Sequence, residues 1–124
     1  MKALLIIAQG SRRQDSNDEV RRLADRIREN TGPSFGQVTS AFLEATSPLM
    51  DSAIDDLIED GATTIVAFPY FLTAGNHVFI EIPKIIKEAK ERYPQVKFIL
   101  LPHFGALQGT SSLILNYIYN SPYR

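Results

Sequence analysis

The chain has no cysteine, which excludes disulfide scaffolds, thiolate zinc sites, iron–sulfur ligation and cysteine nucleophiles together. A cysteine-free chain is compatible with a reducing cytoplasm. Long apolar runs are missing too: nothing approaches the ~18 residues that span a bilayer, so no membrane partner is expected. The apolar stretch Ala3 to Ala8 near the N-terminus is too short for a signal core. Gln9 and the charged pair Arg12-Arg13 follow it, with no small-residue cleavage site. It reads as a first strand, and the chain is expected to be soluble and cytoplasmic. An excess of one charge is also absent. Thirteen basic and 14 acidic residues leave a net charge of −1, which argues against a dedicated nucleic-acid binder.

What the sequence does hold is apolar material in a regular order. With 44% hydrophobic residues, 124 residues suffice for one domain, 1–124, with a real core. Strand, turn and helix alternate four times. Ala3 to Ala8 is a continuous aliphatic run of the kind buried on both faces. Ser16 with Glu19 three residues on has capping-box spacing, so a helix is expected to open there, with Val20, Leu23, Ala24 and Ile27 on one face. Gly32 and Pro33 end it. Gln37 to Leu43 reads as the second strand. Ser47 and Pro48 read as a cap and a first helical residue, before a stripe of Leu49, Ala53, Ile54, Leu57 and Ile58 that stops at Gly61. Thr63 to Phe68 is the third strand, closed by Pro69. After the loop Tyr70 to Asn76, a helix carries Ile82, Ile85, Ile86 and Ala89. Lys97 to Leu101 is the fourth strand. The last helix, roughly Thr110 to Asn120, has Leu113, Ile114, Tyr117 and Ile118 on one side.

Strands that alternate with helices imply right-handed βαβ units and a parallel sheet, and strands this apolar need helices on both faces. In such sheets ligands bind beyond the carboxyl ends of the strands. That rule selects Gln9 to Arg13, Glu44 to Ser47, Pro69 to His77, and Pro102 to Gly105. Both histidines, His77 and His103, fall within these segments. A lone loop histidine is most often an ordinary surface residue, and His103 is read that way more readily than His77. Glu44 is either a solvated carboxylate at a helix start or a metal ligand and proton acceptor aimed at the cleft. Gly10-Ser11 with Arg12 and Arg13 suits an anion at a helix N-terminus. The loop lacks the Walker pattern, the dinucleotide fingerprint and the Ser/Thr-rich tract of a flavin site. No base for a Ser11 nucleophile is visible.

Taken in order, the blocks are Leu4-Leu5-Ile6-Ile7-Ala8 into Gly10-Ser11-Arg12, then Asn17; Ala41-Phe42-Leu43-Glu44 with Pro48; Gly61-Ala62; Pro69-Tyr70-Phe71-Leu72; Ala74-Gly75-Asn76-His77-Val78; Ile82-Pro83; and Leu101-Pro102 with Gly105. This series resembles the short CbiX-type sirohydrochlorin cobaltochelatases, which are ATP-independent class II chelatases. The resemblance runs over nearly the whole chain. It implies a chelatase-like, flavodoxin-like three-layer α/β fold with a four-stranded parallel sheet in the order 2-1-3-4. It also implies insertion of a divalent metal, Co²⁺ before Ni²⁺ or Fe²⁺, into sirohydrochlorin or a related tetrapyrrole, with no nucleotide cofactor.

Residue by residue, the resemblance implies that His77 is a metal ligand and that Glu44 is a ligand or proton acceptor. The family's first loop reads Gly-His-Gly-Ser-Arg, and Gln9 stands where its metal-binding histidine would be. A glutamine amide is a weaker, harder donor than imidazole and cannot act as a base near neutral pH. Glu81 stands in place of the usual aspartate before Ile82-Pro83. Ser11, Arg12, Arg13, Gly75 and Asn76 are the implied substrate-binding residues, the arginines meeting substrate carboxylates. The family's long members contain two such domains, so short members are expected to pair as homodimers. Phe71, Phe79 and Tyr70 suit a dimer, a flat ring or the core equally. The altered Gln9 leaves a second class open, a non-catalytic relative that carries or senses metal or tetrapyrrole. A small phosphate- or carboxylate-binding enzyme is the third.

Overall fold

The computed structural model describes residues 1–121, and the last three positions of the expected domain, 122–124, lie outside the described residues. Four strands, β1 (Lys2–Ala8), β2 (Gln37–Phe42), β3 (Thr64–Pro69) and β4 (Lys97–Leu100), form one parallel sheet in the order β2-β1-β3-β4. The helices are α1 (Gln14–Thr31), α2 (Met50–Glu59), α3 (Ile82–Arg92) and α4 (Gly109–Tyr119). The expected fold class and strand order are those observed.

Alternation along β1 divides the core. Ala3, Leu5 and Ile7 face α2 and α3, where Ile54, Leu57, Ile82 and Ile86 meet Ile65 and Ala67. Ile6 and Ala8 face the other way, against Val20 and Ala24 of α1 together with Val38 and Phe42. Fully burying each such aliphatic side chain contributes about 1.5–3 kcal/mol, so the central strand anchors both layers. The register matters for function. Ala8 pairs with Phe42 and Ile7 with Pro69, so three neighbouring strands end flush and release their loops at one edge.

Three local expectations are corrected. Helix α1 begins at Gln14, not Ser16, and Ser16 lies exposed in its first turn without capping anything. The reason is upstream: the Ser11 hydroxyl accepts the Arg13 N–H at 3.0 Å, and the side chain of Asn17 clamps the Ser11 backbone, which turns the chain into helix early. Pro48 is not the first residue of α2. Its carbonyl accepts the Phe42 N–H at 2.9 Å and Leu49 bridges to Phe42, so residues 48–49 prolong the sheet edge and the helix waits until Met50. Finally, the apolar side of α4 is not packed. The helix buries none of its residues, and Leu113, Ile114, Leu115, Tyr117, Ile118 and Tyr119 are 49–75% exposed.

Candidate functional site

The first loop is built from the end of β1. Gly10 has φ +91°, and a Cβ at this position would overlap the carbonyl oxygen of Glu44. The closeness is held by backbone bonds, Leu43 N–H to Ala8 O and Glu44 N–H to Gln9 O, both 3.0 Å. The β2 loop then turns back sharply, with Ala45 at φ 71° and the Thr46 N–H donating to Glu44 O. These backbone bonds bring two of the singled-out side chains together. Gln9 Nε2 donates to Glu44 Oε1 at 3.1 Å in an exposed pair. An amide that donates to a carboxylate leaves its own carbonyl oxygen and the second carboxylate oxygen free to act as hard donors.

Two residues brace this loop pair. Asn17 is 1% exposed; its Oδ1 accepts the Ser11 N–H at 2.9 Å and its Nδ2 donates to Ser11 O at 2.8 Å. Its signal in the sequence was a polar residue in register with Val20 and Ala24 on the buried stripe. Arg21 was not singled out from the sequence at all. It lies over the Phe42 ring at 5.0 Å and donates to Thr46 Oγ1 and Ser47 O at 3.1 and 2.9 Å, tying α1 to the loop that carries Glu44. The only trace of it was the i,i+3 spacing with Asp18, its ion-pair partner. Arg12 and Arg13 are exposed, and neither guanidinium has a protein partner. Ser11 spends its hydroxyl on the loop's own turn.

The β3 loop carries His77. After Pro69 the chain continues along β1, with the Tyr70 N–H donating to Ile7 O at 2.7 Å. Gly105 seats against Leu72, where a Cβ would overlap the Leu72 carbonyl, and its N–H donates to Phe71 O at 3.0 Å. The β4 loop therefore buttresses the β3 loop. Gly75 O accepts the Val78 and Phe79 N–H groups, opening a π turn over His77–Glu81 that runs into α3. His77 Nδ1 lies 2.6 Å from Glu81 Oε1, and its ring is 6.1 Å from that of Phe71. Nε2 makes no protein hydrogen bond. The Asn76 amide is exposed and likewise without a protein partner.

Three apolar side chains in the segment that carries His77 lie open to solvent. Leu72, Phe79 and Ile80 are 71%, 72% and 61% exposed. The three aromatics named from the sequence thus separate. Phe71 packs on the core, Tyr70 leans on Phe104 at 5.9 Å, and Phe79 faces solvent. His103 follows β4, and strand spacing alone sets that loop roughly 10 Å from the β1 loop. Among the described residues, no three His, Cys, Asp or Glu side chains cluster closely enough to hold a metal. No helix of the described residues is long and apolar enough to cross a membrane.

Comparison with known proteins follows the same outline. The CbiX family model matches residues 3–120. A sirohydrochlorin ferrochelatase of Priestia megaterium is 33% identical over 105 residues, 85% of this chain and 39% of that protein. A sirohydrochlorin cobaltochelatase of the same organism is 35% identical over 99 residues, 80% of this chain and 31% of that protein. The chain thus spans less than half the length of these two relatives. Among solved structures, the CbiX protein of Marinobacter aquaeolei VT8 superposes with a TM-score of 0.81 at 19% identity, covering 96% of this chain and 95% of that one. The sirohydrochlorin chelatase SirB of Bacillus subtilis subspecies spizizenii, solved with cobalt, gives 0.81 at 22% identity, covering 96% of this chain and 50% of that one. At these identities the two structures speak to the fold.

Proposed function

The chain belongs to the CbiX family, and from that premise we propose that it inserts a divalent cation, Co²⁺ in first place, into sirohydrochlorin or a near relative without ATP, in the cytoplasm. The observation that carries the reading is strand order. Glu44, Gln9 and His77 follow β2, β1 and β3, three neighbours whose carboxyl ends are flush.

Insertion exchanges two pyrrole N–H protons for one M²⁺ ion. The hydrated ion must trade waters for ligands that hold it loosely, and a base must take the protons. His77 Nε2 suits the ion, and the Glu44 carboxylate suits the protons. Gln9 cannot take a proton; it offers a carbonyl oxygen and restrains Glu44 through its 3.1 Å bond. The apolar trio Leu72, Phe79 and Ile80 suits the face of a flat macrocycle, and Asn76 beside Gly75 offers its amide at the rim. Arg12 and Arg13, unpaired on the loop that Ser11 shapes, suit the substrate's carboxylates.

The same reading makes the active form a homodimer, with α4 as part of its interface. Six apolar side chains on α4, 49–75% exposed, amount to on the order of 600 Å² per copy, so a symmetric pair reaches the ~1,200 Å² of a specific interface. A second copy is the occupant favoured, because SirB has room in one chain for two units of this size.

The test is an anaerobic assay that follows sirohydrochlorin absorption with Co²⁺, Ni²⁺ or Fe²⁺. Conversion should be fastest with Co²⁺ and should vanish in His77→Ala. Equal Co²⁺ insertion by the wild type and His77→Ala overturns the mechanism. Binding of metal and tetrapyrrole without insertion identifies a carrier instead.

A further inference from the structure

The His77–Glu81 pair goes beyond a surface ion pair. An exposed i,i+4 pair on a helix contributes only about 0.3–0.5 kcal/mol, and such pairs need no special backbone. Here the backbone is special. His77 opens a π turn whose closing bond runs from the Ile82 N–H to His77 O, and Ile82 is fully buried. Gly75 O holds the start of the turn through two N–H groups. The imidazole is flanked by Phe71, tilted 31° to it, and only about a third of the side chain is exposed. The ring is therefore restrained at both backbone ends of its turn and beside one ring neighbour. Of its two nitrogens, Nδ1 is engaged by Glu81 at 2.6 Å and Nε2 is unengaged.

Glu81 as a carboxylate can only accept, so Nδ1 must carry the proton. A neutral imidazole protonated on Nδ1 has its lone pair on Nε2, the nitrogen without a protein partner. We propose that Glu81 is the positioning residue of this site: it holds His77 in the Nδ1–H tautomer and so reserves the Nε2 lone pair for the divalent cation. This rests on the functional reading above and deepens it, since it names the group that selects the donor atom. Carboxylates that hold a ligating imidazole in this way raise its basicity and fix its orientation, and their loss typically weakens metal affinity about 10–100-fold.

The test uses the full chain with Glu81→Ala and Glu81→Gln. Glutamine keeps an oxygen that can accept from Nδ1–H while losing the charge. Two readouts are taken: ring ¹⁵N shifts of His77 in the metal-free protein, and Co²⁺ affinity from its visible absorption. The expected result is an Nδ1–H tautomer in wild type and Glu81→Gln, a shift toward Nε2–H in Glu81→Ala, and Co²⁺ binding about 10–100-fold weaker in Glu81→Ala but within about threefold of wild type in Glu81→Gln. An unchanged tautomer or unchanged Co²⁺ affinity in Glu81→Ala overturns the proposal. So does Glu81→Gln as damaging as Glu81→Ala, which would make Glu81 a direct ligand. If His77→Ala loses Co²⁺ while Glu81→Ala does not, positioning alone has failed. If the wild type binds no Co²⁺, the functional reading has failed first, and the tautomer shift alone then reports the pair.

Discussion

Gly10 lies directly against the main-chain carbonyl of Glu44, so close that no side chain fits between the β1 and β2 loops. The contact explains why Gln9 and Glu44 can share a hydrogen bond at all. It also gives the first prediction. Gly10→Ala must both overlap that oxygen and hold φ near +91°, which an L side chain rarely adopts. It should destabilise the fold by about 2–4 kcal/mol in urea unfolding. Gly75→Ala is the control, because its Cβ meets open space, and it should stay within about 0.5 kcal/mol of wild type.

Asn17 satisfies both backbone groups of Ser11 from a buried position. Asn17→Ala should lower stability by about 2 kcal/mol, since it strands a donor and an acceptor. Asn17→Asp keeps the acceptor but sets a carboxylate against Ser11 O, and should be no better. Thermal melts check both, and a melting temperature unchanged in either variant would show that water replaces the clamp.

Restoring imidazole at position 9 should help the site. Gln9→His adds a softer donor and a possible base, and frees Glu44 from its amide partner. Co²⁺ affinity or turnover should rise more than tenfold, which needs only ~1.4 kcal/mol. His103→Ala should change little, because its loop is two strands away from β1. A larger loss in His103→Ala than in His77→Ala would move the metal site toward β4.

Charge placed on α4 should dissociate the proposed dimer. Ile114→Glu combined with Tyr117→Glu introduces two charges on a helix that has none and that buries nothing within its own protomer. Sedimentation should show a dimer for wild type and a monomer for the double variant, with an unchanged melting profile at high dilution. A wild-type monomer at every accessible concentration would remove the interface.

Far from the site, the Tyr93 hydroxyl donates to Asp55 Oδ1 at 2.8 Å, and that bond holds the phenol above its ordinary pKa. The folded state therefore keeps the proton to higher pH than the unfolded chain does. The bond's contribution is complete below the unfolded-chain value and is lost as pH rises through the folded one. Unfolding midpoints of wild type and Tyr93→Phe should differ by a constant amount near neutrality and converge in the alkaline range. A gap that persists after the phenol has ionised would assign the difference to packing.

The layers of this protein were legible from its residues because burial on both faces leaves an unambiguous mark. Ala3 to Ala8 has no polar position, so it had to be an interior strand, and the stripes of α1, α2 and α3 had to cover it. The edge that carries Gln9, Glu44 and His77 followed from the alternation, since strands joined by helical crossovers run parallel and so release every βα loop at the same edge. Three things were decided only in three dimensions. The helix starts at Gln14 and Met50 depend on hydrogen bonds made by Asn17 and by Phe42, partners whose geometry local propensity does not encode. Arg21 acts across 25 residues of chain, on Thr46. The exposure of α4 was invisible because a periodic apolar face reads the same whether it meets its own sheet or a second molecule. Periodicity records that a surface must be covered, and only the packed chain shows what its own residues leave uncovered.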